Sequence, residues 1–230
     1  MESLLAVTVL LAVILVVMMS IILHEIAHGW VAAKCGDYTA EAAGRLTLNP
    51  IKHIDPFMTI MLPIFLLFIT KGQFTFGGAK PVPINPFRFR NLKRDYFFVS
   101  VAGLAVNLCL ALFFALLIRV NLFPPDRWGA PIVWYGMWIN LLLFSFNLLP
   151  IPPLDGSRAL RVFLPRQLAN LFDALDRFGI FILIIVVFYT PLFNIFFTLV
   201  SLAVQSVLRV DLSEFFLVSN KFGEILHKIW

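Results

Sequence analysis

The sequence predicts an all-α polytopic membrane protein, with about four to six transmembrane or re-entrant helices and a small membrane-associated β hairpin after the first. Three observations lead there. Hydrophobic residues make up 60% of the chain and charged residues only 13%, against roughly a quarter charged in soluble domains. The apolar residues are gathered into runs long enough to cross about 30 Å of hydrocarbon as helices. Between the runs lie the basic residues and most of the Gly and Pro, where chain reversals and topology signals belong.

Ser3 to about Lys34 contains no proline, and its one glycine is Gly29, so it reads as a single long helix. Glu2 stands where a secretory signal would carry a basic residue, and the apolar run exceeds the usual signal core. A retained helix is therefore expected. Gly36-Asp37 ends it. Tyr38–Leu48 partly alternates in polarity, which suggests the short hairpin. Asp55-Pro56 reads as an N-cap followed by Pro at the first helical position. The run Pro56–Thr70 is short for a span and holds Pro63. Residues 71–95 read as a Gly-, Pro- and Arg/Lys-rich loop. Tyr96–Val120 and Ile132–Leu149 are spans, joined by the short loop 121–131. The second ends in Pro150-Ile151-Pro152-Pro153-Leu154-Asp155-Gly156. Ser157–Arg177 carries four arginines and reads as interfacial helix. Phe178–Leu208 is apolar but broken near Pro191, giving one kinked helix or a tight hairpin. In the tail, Phe215, Val218, Phe222, Ile225, Leu226 and Ile229 share one helical face, as in a helix lying on a membrane surface.

Charge sets the topology. If Pro56–Thr70 dips in and returns, the basic residues of 34–95 and of 158–177 fall on one side. The loop 121–131, where Arg127 is balanced by Asp126, falls on the other. This is the positive-inside pattern, with the first helix running toward the cytoplasm. It also brings the end of that helix level with Pro150–Gly156.

The chemistry lies in His24-Glu25-Ile26-Ala27-His28. On a helix, residues four apart share a face, so His24 and His28 can bind one Zn²⁺, with Glu25 placed as general base for a metal-activated water. Ionisable groups at membrane depth are costly and by default mark function. Asp155 is such a group on the segment brought level with the motif. It supplies a third ligand, or else serves as the N-cap of the helix that follows. The prolines free backbone carbonyls, which at membrane depth need protein or a water-filled cavity. Asn147 ends its span there, as a donor to a developing oxyanion or as partner to a freed carbonyl.

HEIAH (24–28) together with NLLPIPPLDG (147–156) resembles the site-2 protease family of intramembrane zinc metalloproteases, in its small form lacking PDZ and CBS-like domains. Weaker matches are GRLTLNPIKHIDP (44–56), GGAKPVPIN (77–85) and AGLAVN (102–107), where Leu104 replaces the proline of a Gly-Pro-x-x-Asn element. The resemblance implies one catalytic zinc ion held by His24, His28 and Asp155, with Glu25 as catalytic base and Asn147 near the substrate. It implies hydrolysis of peptide bonds within or near transmembrane segments of other membrane proteins. Residues 1–208 are then the integral membrane protease domain, with its core in 3–156, and 209–230 the amphipathic interfacial tail. The expected setting is a prokaryotic cell membrane, with the site toward the cytoplasm. The expected partners are transmembrane substrates, membrane lipids and a regulatory membrane protein.

Other classes fit less well. The basic residues form no aromatic-interleaved platform, so no nucleic-acid partner is expected. Cys35 and Cys109 lack metal-binding spacing. His53 and His227 have no partner at metal spacing and read as interfacial. A zinc-binding scaffold or transporter is the alternative function, but a transporter calls for further intramembrane carboxylates, and 96–150 contains only Asp126, in a loop.

Overall fold

The first apolar run forms a single helix, α1 (Glu2–Lys34). A Schellman motif closes it. The Asp37 N–H donates to Ala32 O and the Gly36 N–H to Ala33 O, with Gly36 at φ +107°, a conformation that costs glycine nothing. The computed structural model describes residues 2–69, 71, 77–125, 127–211 and 213–227.

The next stretch corrects the sequence reading. Tyr38–Leu48 forms no hairpin, and the described residues contain no strand. Thr39–Ala42 is one turn of helix, α2. A second Schellman motif closes it, with Arg45 N–H to Ala40 O and Gly44 N–H to Glu41 O, Gly44 lying at φ +63°. The apparent alternation came from three alanines and a glutamate, all strong helix formers. Asp37 starts the turn, its Oδ1 accepting from the Thr39 N–H and hydroxyl.

Asp55 caps the following helix as expected, its Oδ1 accepting from Phe57 and Met58 N–H. The helix opens with a π turn, Pro56–Met61, and continues as α3 (Leu62–Ile69). Fourteen residues reach about 21 Å, short of the hydrocarbon thickness. Residues 77–91 then return toward α1 in extended and 3-10 conformation. They are pinned by Asn85 N–H to Asp37 Oδ2 (2.6 Å) and Arg90 N–H to Cys35 O (3.1 Å). His53 is buried here, its Nε2 bonded to Thr47 O.

Two further long helices, α4 (Leu92–Arg119) and α5 (Ala130–Leu148), pack with α1 into the core. Among the described residues, these three are long and apolar enough to cross a membrane. Pro56–Ile69 and Leu192–Ser206 are apolar but shorter. Contacts set the directions. His28 meets Val99 and His24 meets Asn107, so α1 and α4 are antiparallel. Ser20 meets Asn140, deeper along α1 than the histidines.

After α5, the proline turn leads into α6 (Asp155–Arg161) and α7 (Arg166–Asp176). Gly156 is sterically required, because a Cβ there would stand 2.3 Å from Leu148 O. The start of α6 therefore lies flat against the last turn of α5. The apolar stretch after Arg177 is two helices, α8 (Gly179–Tyr189) and α9 (Leu192–Leu208), separated at Thr190-Pro191. Leu183, Phe193 and Phe196 back the proline turn through Leu149 and Leu154. In α10 (Ser213–His227), Phe215, Val218 and Phe222 are buried against α1 and α5. These three positions of the apolar face read from the sequence are thus covered by protein; Ile229 lies outside the described residues.

Candidate metal centre

α1 carries His24 and His28 toward α4 one helical turn apart, and both rings are buried. Gly103 makes room for them. A Cβ there would lie 2.4 Å from His24 Cε1 and 2.5 Å from His28 Nε2, far inside contact distance. α4 can approach both imidazoles only because this position has no side chain. The sequence contained Gly103, but nothing in one chain marks which glycine faces which ring.

Asp155 closes the group. Its Oδ2 lies 3.1 Å from His24 Nε2 and 3.1 Å from His28 Nε2, and the two nitrogens are 3.1 Å apart. Three donor atoms thus form a near-equilateral triangle. Ligands at about 2.0–2.1 Å on a tetrahedron stand about 3.3–3.4 Å apart, so the triangle matches three corners of a zinc site to within a few tenths of an ångström. Two imidazoles and one carboxylate are also a donor set that zinc takes. Asp155 does not act as the N-cap, which is Leu154. Arg158 Nη1, 3.7 Å from Asp155 Oδ1, adds a cation on the other side.

The remaining ring nitrogens are also engaged. His28 Nδ1–H donates to Val99 O at 2.7 Å, which leaves Nε2 with its lone pair toward the triangle. His24 Nδ1 faces the Asn107 carboxamide at 3.0 Å. Both partners lie on α4.

Glu25 stands apart from the triangle. Its Oε2 accepts from the Val82 N–H at 2.9 Å, so the extended segment 81–85 fixes one carboxylate oxygen. A cleft of about 270 Å³ opens beside the site, lined by His28, Asp155, Val82, Ser100, Tyr96 and Arg158 among others. At about 30 Å³ per water it has room for several. Asn147 contributes no atom to the triangle. Its Nδ2 donates to Leu143 O within its own helix at 3.1 Å.

Sequence reasoning placed the two histidines, the glutamate and the aspartate, and the structure brings the three ligand candidates together. It singled out Gly103 and Asn107 only as part of a family-like element, without their contacts to the rings, and it missed the backbone partners. Gly103 and Asn107 are four apart on α4, a spacing that signals a common face, but the Val99 carbonyl and Val82 N–H carry no side-chain signal.

Residues 126–189 match the sequence pattern of Peptidase family M50. The protein named Putative zinc metalloprotease YwhC, from Bacillus subtilis, is 39% identical over 186 residues, spanning 78% of this chain and 80% of its own. The chain belongs to peptidase family M50, the site-2 proteases. Putative zinc metalloprotease Rip2 of Mycolicibacterium smegmatis is 33% identical over 185 residues, 78% of this chain and 67% of that one. The archaeal Putative zinc metalloprotease MJ0611 of Methanocaldococcus jannaschii is 29% identical over 143 residues, covering 61% and 64% of the two chains. No solved structure matches. The span matched to family M50 contains Asp155, while His24 and His28 come to it from outside that span through the α1–α4 packing.

Proposed function

We propose that this protein is a zinc metalloendopeptidase that hydrolyses peptide bonds within or near the transmembrane segments of other membrane proteins. The observation that carries this reading is the His24–His28–Asp155 triangle, which joins the apolar span α1 to the start of α6, with a glutamate adjacent in sequence and outside the triangle. His24, His28 and Asp155 hold one Zn²⁺. Bound there, the ion supplies Lewis acidity that makes hydroxide available at neutral pH and polarises a carbonyl.

The chain does the rest. Glu25 accepts the proton of the attacking water and delivers it to the leaving amide nitrogen as the scissile C–N bond breaks. The Val82 N–H holds Oε2 still, so the other oxygen is the one free to move the proton. The cleft admits water and an unwound stretch of substrate. A substrate helix conceals its peptide bonds in internal hydrogen bonds, so helices weakened by Gly, Pro or Asn near the site are preferred. Asn147, one turn before the proline segment, donates to the developing oxyanion after releasing Leu143 O. The basic loops orient the protein with the site toward the cytoplasm of a prokaryotic cell membrane. Membrane lipids and a regulatory membrane protein complete its surroundings.

The test uses purified protein with single-pass membrane substrates. Wild type should cleave and lose activity to a chelator, with zinc restoring it. Glu25→Gln should retain zinc at one ion per chain and fall by a factor of about a thousand or more in rate. Undiminished cleavage by Glu25→Gln rejects the mechanism. Zinc uptake without cleavage of any membrane substrate favours the zinc-binding scaffold instead.

A further inference from the structure

The two ligand histidines are held from behind in different ways. His28 Nδ1–H donates to a backbone carbonyl, which no substitution removes. His24 Nδ1 is met by a side chain, the Asn107 carboxamide, at 3.0 Å. Asn107 is completely buried, and its Oδ1 has no hydrogen-bond partner.

The proton on His24 decides how this amide must be turned. For Nε2 to face a metal with its lone pair, the proton must sit on Nδ1. An Nδ1–H needs an acceptor, and the amide nitrogen is not one. The oxygen and nitrogen of a carboxamide exchange places by a half-turn, and their partners identify which is which. In either orientation one amide atom in this pocket goes without a partner, so the count of unsatisfied groups is the same. The histidine breaks the tie. With Oδ1 on His24 Nδ1–H, the ring is fixed as the tautomer that leaves Nε2 free.

We infer that Asn107 is a positioning residue for the metal centre, accepting from His24 Nδ1–H through Oδ1 and so locking the ligand tautomer and ring orientation. The inference rests on the zinc reading above and adds a residue on α4 to it. Asn140 provides an internal control. It is equally buried, on the neighbouring span, with an unpartnered Oδ1, but its amide bonds Ser20 Oγ and Gly136 O and touches no ligand. Its replacement removes a buried amide of the same kind without removing a tautomer lock.

Zinc affinity is the readout, measured on the purified full chain in detergent by competition with a chromophoric chelator, with no need for substrate. Asn107→Leu, close in volume and lacking an acceptor, should weaken zinc about 10–100-fold. Asn107→Asp restores an oxygen acceptor and should bind zinc at least as well as wild type. Asn140→Leu should leave zinc affinity within about twofold of wild type, well below that supporting-residue range. Equal affinity in Asn107→Leu and wild type overturns the inference. So does loss of zinc in Asn107→Asp to the same extent, or an equal loss in Asn140→Leu, since either would show that packing alone is at work. A wild type that takes up no zinc removes the zinc reading and this inference with it. A wild type that binds zinc beside an unresponsive Asn107 series removes only this one.

Discussion

The two ends of α1 are held by different physics. Toward its start, Val9 and Val13 pack with Phe222, Trp128, Ile132 and Tyr135, joining α1 to α5 and α10 by apolar contact. Toward its end, His24, Glu25 and His28 meet single directed atoms: a carboxylate oxygen, a backbone carbonyl, an amide and an N–H. Dispersion between apolar surfaces is spread over many weak contacts. It tolerates small displacements. Hydrogen bonds and metal ligation depend on a few distances, and a shift of 1 Å ruins them. One helix thus has an adaptable end and an exacting end, and Gly103 rather than a larger residue marks where the exacting end begins.

Removing a ligand breaks the exacting end outright. Asp155→Ala should abolish stoichiometric zinc, weakening it more than a hundredfold, since ligand replacement costs more than loss of a supporting partner. Metal analysis of the purified variant checks it, and retention of one tightly held zinc would remove Asp155 from the site.

Gly103→Ala forces α4 away from α1 or both rings out of place, because its Cβ would stand under 2.7 Å from three imidazole atoms. Overpacking of this kind costs about 1–3 kcal/mol, and here the loss should appear in zinc affinity, by tenfold or more. Gly136→Ala makes a somewhat longer but still overpacked contact, 2.7 Å, with the Phe114 ring in the apolar layer. It should lower the melting temperature and leave zinc alone. If both variants lose zinc equally, the metal centre is not independent of the apolar layer.

In the neighbouring apolar layer between α5 and α10, Phe215 stacks on Trp138 at 4.4 Å and meets Tyr135 edge-on at 5.2 Å. Phe215→Ala should destabilise by about 3–5 kcal/mol, seen as a fall in melting temperature in detergent with zinc stoichiometry intact. A full wild-type melting temperature would show that α10 contributes little to holding the core.

The smallest effect is expected at Glu25. Val82→Pro removes the N–H that fixes Oε2, and both neighbours, Pro81 and Pro83, already favour extended backbone. Cleavage should slow by about three- to tenfold, roughly one lost hydrogen bond, with zinc unchanged. An unaltered rate would mean that Glu25 needs no help from segment 81–85.

Much of this was readable from the residues. The HEIAH spacing fixes two ring nitrogens on one helical face whatever surrounds them, and the charge pattern brings Asp155 to their level. Helix ends at Gly36 and Asp55 follow from local backbone chemistry. Tyr38–Leu48 was misread because over a few residues weak alternation cannot outweigh helix propensity reinforced by a glycine stop. The stretch after Phe178 was left open for a related reason: apolarity is visible in sequence, but whether α8 and α9 form one helix or two depends on what surrounds Thr190-Pro191.

What the sequence determined by itself is local: which residues carry chemistry, and how those four apart are related along a helix. Only the tertiary structure decided which atoms face them. Gly103 under the rings, the Val99 carbonyl and Asn107 behind them, and the Val82 N–H on Glu25 come from 57 to 83 residues away along the chain. Backbone donors and the absence of a side chain have no residue signature of their own, so they become functional only when packing sets them beside a ligand.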